Sequence, residues 1–123
     1  MIDVHCVTFD CAQPYELATF WRDATGGELH PDTEKNDDEV LLQGGRVDLL
    51  FIRVPEDKAG KNRVHLDITG SAGTTRDEEV ERLAELGATV SEDHRDPDGS
   101  GWVTMLDPEG NEFCVCRAEY ERV

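Results

Sequence analysis

Residues 65–69 read His65-Leu66-Asp67-Ile68-Thr69, and residues 6–10 read Cys6-Val7-Thr8-Phe9-Asp10. Both alternate apolar and polar side chains, as a strand does when one face packs on a core and the other looks elsewhere. Each is followed by a helical pattern. Leu17, Phe20, Trp21 and Ala24 fall at i, i+3, i+4 and i+7, and Val80, Leu83, Ala84 and Gly87 repeat that spacing, which is one face of a 3.6-residue period. The strands align with Cys6 over His65, and the helices align after a four-residue insertion, Gly70-Ser71-Ala72-Gly73. Each half then continues through three short strand-like runs. The order strand, helix, three strands, repeated once, predicts an α+β fold of two tandem βαβββ modules. Its pairing is mixed and mostly antiparallel, because consecutive short strands joined by tight turns cannot be parallel. Two copies whose polar strand faces converge can build one concave site.

Local signals set the element boundaries. Residues 4–11 form the first strand, and Pro14 suits the first turn of a helix, where its missing amide hydrogen is not needed. Gly26-Gly27 stops that helix. Residues 28–33 and 39–43 are strands around the turn Asn36-Asp37-Asp38, with Pro31 confining the first to a sheet edge. Residues 47–54, rich in Leu, Phe, Ile and Val, are a mostly buried strand. In the second half, Thr75 and Glu78 form a capping box for a helix that runs to Leu86 and stops at Gly87. Strands follow over 89–93, 102–106 and 112–117, separated by the turn sequences Asp96-Pro97-Asp98-Gly99 and Asp107-Pro108-Glu109-Gly110. The 123 residues thus read as one domain: module one over 1–54, a polar hinge over 55–62, module two over 63–118, and a charged, loosely attached tail over 119–123. A doubly wound nucleotide fold would need strand–helix alternation throughout and a glycine-rich phosphate loop; neither is present.

Composition narrows the function classes. There are 28 acidic residues against 12 basic ones, a formal charge of −16, and such a field repels nucleic-acid phosphates and anionic membrane surfaces. No nucleic-acid or membrane partner is expected. The basic residues are 3 lysines and 9 arginines; an acid-rich, lysine-poor surface suits either a salty cell interior, where screening blunts self-repulsion, or ordinary solubilisation. No run reaches the roughly 18 apolar residues of a membrane span. Met1-Ile2-Asp3-Val4-His5 lacks the basic flank and apolar stretch of a signal peptide, so a cytoplasmic, soluble protein is expected. The four cysteines, Cys6, Cys11, Cys114 and Cys116, are then reduced thiols, and their spacings match no zinc-ribbon signature.

Four segments carry a family resemblance: Leu17-Ala18-Thr19-Phe20-Trp21, Lys61-Asn62-Arg63-Val64-His65-Leu66-Asp67, Leu83 with Leu86-Gly87-Ala88, and Asp107-Pro108-Glu109-Gly110-Asn111-Glu112-Phe113. In this order and spacing the chain resembles the vicinal oxygen chelate superfamily, in particular its glyoxalase-like and bleomycin-resistance-like members. The resemblance implies paired βαβββ modules forming a cupped sheet of the glyoxalase/bleomycin resistance/dihydroxybiphenyl dioxygenase type. It also implies a metal or ligand cavity. In that family the metal ligands come from the first and last strands of each module; those positions fall here on Cys6, Ile52 (matching Phe51 to Phe113), His65 and Cys114.

Isoleucine has no lone pair, so the usual four-ligand site is incomplete. The two thiols disfavour a hard-ligand site. Cys6, His65 and Cys114 have the ligand types of a three-ligand zinc site with an open position, or they line a metal-free pocket. No cofactor is firmly implied, zinc or iron being the divalent metals considered. Strand alternation places Thr8 and Asp10 on the cavity side with Cys6, leaves Val7, Phe9 and Cys11 for the helix, and makes His5 a strand-end or surface residue. The same logic puts His65, Asp67, Thr69, Glu112, Cys114 and Cys116 on the cavity side and Leu66, Ile68, Phe113 and Val115 in the core. A cavity holding Asp10, Asp67 and Glu112 favours a cationic or hydrogen-bond-donating ligand, unless the aspartates sit at solvated strand ends. Trp102 and Met105 cap an apolar ligand or belong to core or interface, Arg53 and Arg63 pair with nearby acids, and residues 96–100 are a lid or a turn. A Cys–His nucleophile is disfavoured, because acidic surroundings keep a thiol protonated. The leading expectation is a homodimer that binds a small organic molecule in the cavity without metal. The alternatives are a metal-dependent lyase, isomerase or dioxygenase using His65 with Cys6 and Cys114, and a non-catalytic interaction module.

Overall fold

The computed structural model of the protein describes residues 1–71 and 73–122. Ala72 of the predicted insertion and Val123 of the predicted tail lie outside the described residues. The chain divides into two compact units, the division falling between Ala59 and Gly60. The first contains β1 (Cys6–Cys11), α1 (Pro14–Thr25), β2 (Glu28–Leu29), β3 (Glu39–Gln43) and β4 (Asp48–Arg53). The second contains β5 (Leu66–Thr69), α2 (Arg76–Leu86), β6 (Thr89–Asp93), β7 (Trp102–Leu106) and β8 (Glu112–Cys116), then a 3-10 turn over Glu119–Glu121. Each unit has one four-stranded sheet, ordered β1-β4-β3-β2 and β5-β8-β7-β6. In each, the outer pair β1·β4 or β5·β8 is parallel and the rest is antiparallel. This is the α+β pair of βαβββ modules that the repeat implies.

In the first unit Pro14 opens α1, and Gly26 closes it in the left-handed conformation (φ 75°), its N–H donating to Arg22 O. Leu17, Ala18, Phe20 and Trp21 are buried against Val40, Leu42, Leu49 and Phe51 from the sheet. Phe9 reaches the same layer, 5.7 Å from the Trp21 ring and 5.0 Å from Phe51. Each large apolar side chain so buried contributes about 1.5–3 kcal/mol. In the second unit the capping box forms as predicted: the Glu78 N–H donates to Thr75 Oγ1 and the Thr75 N–H to Glu78 Oε1. Val80 and Leu83 join Val103, Met105, Phe113 and Val115 as core.

Several predicted boundaries move. The strand expected over 28–33 is only Glu28–Leu29; the His30 N–H still bonds Leu41 O, but Thr33 N–H then turns back to His30 O, ahead of which Pro31 has no amide hydrogen to give. β1 begins at Cys6 and β5 at Leu66, so His65 precedes its strand rather than lying within it. The described residues of the tail, 119–122, are held in place. The Arg76 N–H and Ala118 N–H donate to the two carboxylate oxygens of Glu121, and the Tyr120 hydroxyl donates to Thr74 O, which ties the 3-10 turn to the start of α2. Arg53 pairs with Asp38 at 2.9 Å.

The parallel registers also refine the internal alignment. Thr8 lies opposite Leu50 and Asp10 opposite Ile52, while Asp67 lies opposite Cys114. Placing Cys6 over His65 therefore places Leu50 over Cys114, whereas placing Ile52 over Cys114 places Asp10 over Asp67. The two equivalences differ by an even step, so choosing between them does not change which face a side chain takes.

Candidate functional site: the polar face of the second sheet

Alternation along the second sheet sorts its side chains cleanly. Val103, Met105, Phe113 and Val115 are fully buried on the helix side. The opposite face takes Asp67 from β5, Trp102 and Thr104 from β7, and Glu112, Cys114 and Cys116 from β8. Register brings them side by side: Asp67 and Thr104 both lie opposite Cys114, and Trp102 lies opposite Cys116. Lys61 and His65, just before β5, and Ser91, Glu92 and His94, from β6 and the residue beyond it, complete the lining of a hollow of about 570 Å³.

Two histidine–carboxylate pairs occupy this face. His65 Nδ1 lies 3.0 Å from Asp67 Oδ1, and His94 Nε2 lies 2.7 Å from Glu92 Oε2. A carboxylate accepts, so in each pair the bonded nitrogen carries the hydrogen. That leaves His65 Nε2 and His94 Nδ1 outside these two bonds. The Glu112 carboxylate accepts the Asn62 N–H at 2.7 Å. Cys114 Sγ lies 3.6 Å from Thr104 Oγ1. Burial, the largest cause, pushes the Cys114 thiol above its ordinary range; the Thr104 hydroxyl pulls it down, and the Asp67 carboxylate pushes it up again. Cys116 is raised by burial first, then by Asp67 and Cys114. Both sulfurs are thus thiols at neutral pH, and neither is an activated nucleophile. The acidic surroundings act in the expected direction, but burial is the larger cause.

Donor atoms of His65, Asp67 and Cys114 all lie within 4.8 Å of one another. A nitrogen, an oxygen and a sulfur so grouped fit a borderline-soft divalent ion such as zinc, with a position left open. A hard ion is fitted less well, because a cysteine sulfur is a soft ligand where such ions take oxygen.

Of the residues predicted for the site, His65, Asp67, Glu112 and Cys114 line this hollow. Thr8, Asp10, Ile52 and Cys6 belong to the first unit. There Thr8 and Asp10 are exposed, Ile52 is half-buried, and Cys6 Sγ lies 3.7 Å from Thr8 Oγ1. Trp102 and Met105, read together from the sequence, point to opposite faces: Met105 is core, while Trp102 is 43% exposed in the hollow. Lys61, Ser91, Glu92, His94 and Thr104 were not anticipated. A β-bulge between Val90 and Glu92 is the reason for two of them. It shifts the hairpin by one residue, so the His94 N–H meets Trp102 O at 2.9 Å, and Glu92 and His94 turn toward the hollow, as bulges re-aim side chains.

The β6–β7 connection is a clamped turn. Arg76, buried at the start of α2, donates from Nη1 to the carbonyls of Gly99, Ser100 and Gly101 at 3.0, 3.2 and 3.1 Å. Its Nε bonds Asp77, which also receives Arg95. Arg95 in turn grips Asp93 and holds that carboxyl down to about 2. Ser100 Oγ donates to both Asp96 and Asp98. Residues 96–100 are a turn with its own bonds.

Residues 6–116 match the family described as the glyoxalase-like domain. No curated protein matches the chain in sequence. Solved structures match at low identity over nearly the whole length. A glyoxalase/bleomycin resistance protein/dioxygenase family enzyme from Burkholderia phytofirmans is 16% identical, with 93% of this chain and 97% of that one covered at a TM-score of 0.74. The fosfomycin resistance protein FosX from Listeria monocytogenes, a mutant complexed with Mn(II) and 1S,2S-dihydroxypropylphosphonic acid, is 14% identical, with 99% and 96% covered at 0.72. Lactoylglutathione lyase from Agrobacterium tumefaciens is 22% identical, with 94% and 92% covered at 0.63. No helix among the described residues is long and apolar enough to cross a membrane.

Proposed function

Because the chain belongs to the glyoxalase-like domain family, within the vicinal oxygen chelate superfamily, we propose that the polar face of its second sheet binds a small organic molecule. The observation that carries this reading is the hollow itself. About 570 Å³ lies over a half-exposed indole and a ring of polar groups of both signs, within the range of small-molecule sites. Three carboxylates, Asp67, Glu92 and Glu112, face it against the fixed cation Lys61. That balance favours a ligand with positive charge or several hydrogen-bond donors. Trp102 offers an apolar surface, and Thr104 and Ser91 offer hydroxyls. A thermal-shift screen of chemically diverse small molecules tests it. Binders raise the melting temperature of the wild type in proportion to concentration and lose that effect in Trp102→Leu. Hits that act equally on the variant contradict the placement.

The grouping of His65, Asp67 and Cys114 favours a second reading, in which these three hold a zinc-type ion. Such an ion supplies a Lewis acid for an oxygen of the ligand. The chain's own groups would then bind and orient, with Trp102 as the floor and Lys61 as a counter-charge. Equilibrium dialysis against zinc expects one retained equivalent, lost in both His65→Ala and Cys114→Ala. Retention unchanged by either substitution rules this reading out.

A further inference from the structure

The two tryptophans have opposite environments. Trp21 is 1% exposed in the core of the first unit, whereas Trp102 stands open at the hollow. Its indole is not bare. The His94 ring lies over it with centroids 4.6 Å apart and planes 25° from parallel, and His94 Nε2 is held edge-on by Glu92 Oε2 at 2.7 Å. A flat nitrogen ring stacked on an indole and hydrogen-bonded to a carboxylate is how a protein holds a planar cationic heterocycle. The chain supplies such a ring from itself.

The surroundings allow that ring to leave. The His94 and Glu92 side chains are 40% and 64% exposed. The His94 backbone, by contrast, is fixed: its N–H bonds Trp102 O, and its carbonyl sits so close to Gly101 that a Cβ there would fall 1.9 Å from the oxygen. The imidazole can therefore swing out by side-chain rotation, without disturbing the hairpin that presents Trp102.

We propose that the Trp102 face, edged by Glu92, is a subsite for a planar cationic nitrogen heterocycle, and that His94 is a resident occupant which such a ligand displaces. The proposal rests on the reading of the hollow as a small-molecule site and adds the class of ligand. A competitor that must first move away lowers the apparent affinity by the fraction of time it occupies the site. Removing it tightens binding.

The test titrates the full chain with 1-methylnicotinamide, a planar pyridinium, and with benzamide, a neutral ring of similar shape. Binding is read from Trp102 fluorescence, with Trp102→Leu giving the Trp21 background. Saturable quenching by the pyridinium is expected. His94→Ala should tighten it about three- to fivefold and Glu92→Gln weaken it by a similar factor, the scale of an exposed cation–π contact. Benzamide should bind more weakly than the pyridinium. Failure of the pyridinium to bind even His94→Ala, indifference to His94→Ala, or equal binding of benzamide overturns the proposal. Benzamide or other neutral fragments that shift resonances of His65 and Cys114 would in that case leave the broader reading standing. Failure of every fragment class would remove both.

Discussion

Replacing Arg76 by methionine keeps the length and apolar stem of the side chain and removes all its donors. The side chain is 6% exposed, so solvent cannot replace what is lost. One nitrogen, Nη1, serves the carbonyls of Gly99, Ser100 and Gly101, and these shared bonds do not add as three. Counting them as one to two charge-assisted bonds, with the carbonyls left short of partners, gives a loss of about 2–4 kcal/mol. For a chain of this length that is a fall in melting temperature of roughly 10 °C. Urea unfolding of Arg76→Met against wild type measures it, and Arg76→Lys should lose about half as much, since an ammonium keeps the charge without the planar fork. Asp77 gives an internal check. Its carboxyl is held below the ordinary range chiefly by the Arg76 hydrogen bond, and in Arg76→Met its NMR titration should move back up. A stability change under about 0.5 kcal/mol, typical of a bare surface site, would refute the clamp.

Gly101→Ala should cost about 2 kcal/mol or more, because φ is +91° and the new Cβ would meet the His94 carbonyl; equilibrium unfolding equal to wild type contradicts this. The raised Cys114 and Cys116 thiols favour the neutral form in the folded chain. Their contribution to stability is fully present below the unfolded thiol range and is lost as pH rises through the folded values. Stability should thus fall on going from pH 8 to pH 10 more steeply in wild type than in Cys114→Ser/Cys116→Ser. Equal slopes would argue against that protonation state.

The fold was legible because it rests on patterns that a sequence displays directly. Alternation in residues 6–10 and 65–69 fixed which side chains face each sheet's core, and the capping box at Thr75 fixed the start of α2. His65, Asp67, Glu112 and Cys114 followed from the same period-two logic. Glu92 and His94 did not, because the bulge after Val90 breaks the period and leaves no mark in an all-exposed edge strand. Met105 was read beside Trp102, although an odd separation along β7 sends them to opposite faces. Nothing local marks Arg76, because a charged residue at the first turn of a helix reads as solvated. Its burial depends on carbonyls more than twenty residues away, which local pattern does not reveal.

Ligand binding at the second sheet is best examined by heteronuclear NMR of the whole chain titrated with a mixed small-molecule set that includes the planar pyridinium. Saturable shifts concentrated at His65, Asp67, Trp102 and Cys114, with the helix-side residues Val103 and Val115 unmoved, are predicted. Shifts that cluster elsewhere, or no saturable shift with any member of the set, would contradict a small-molecule site on that face.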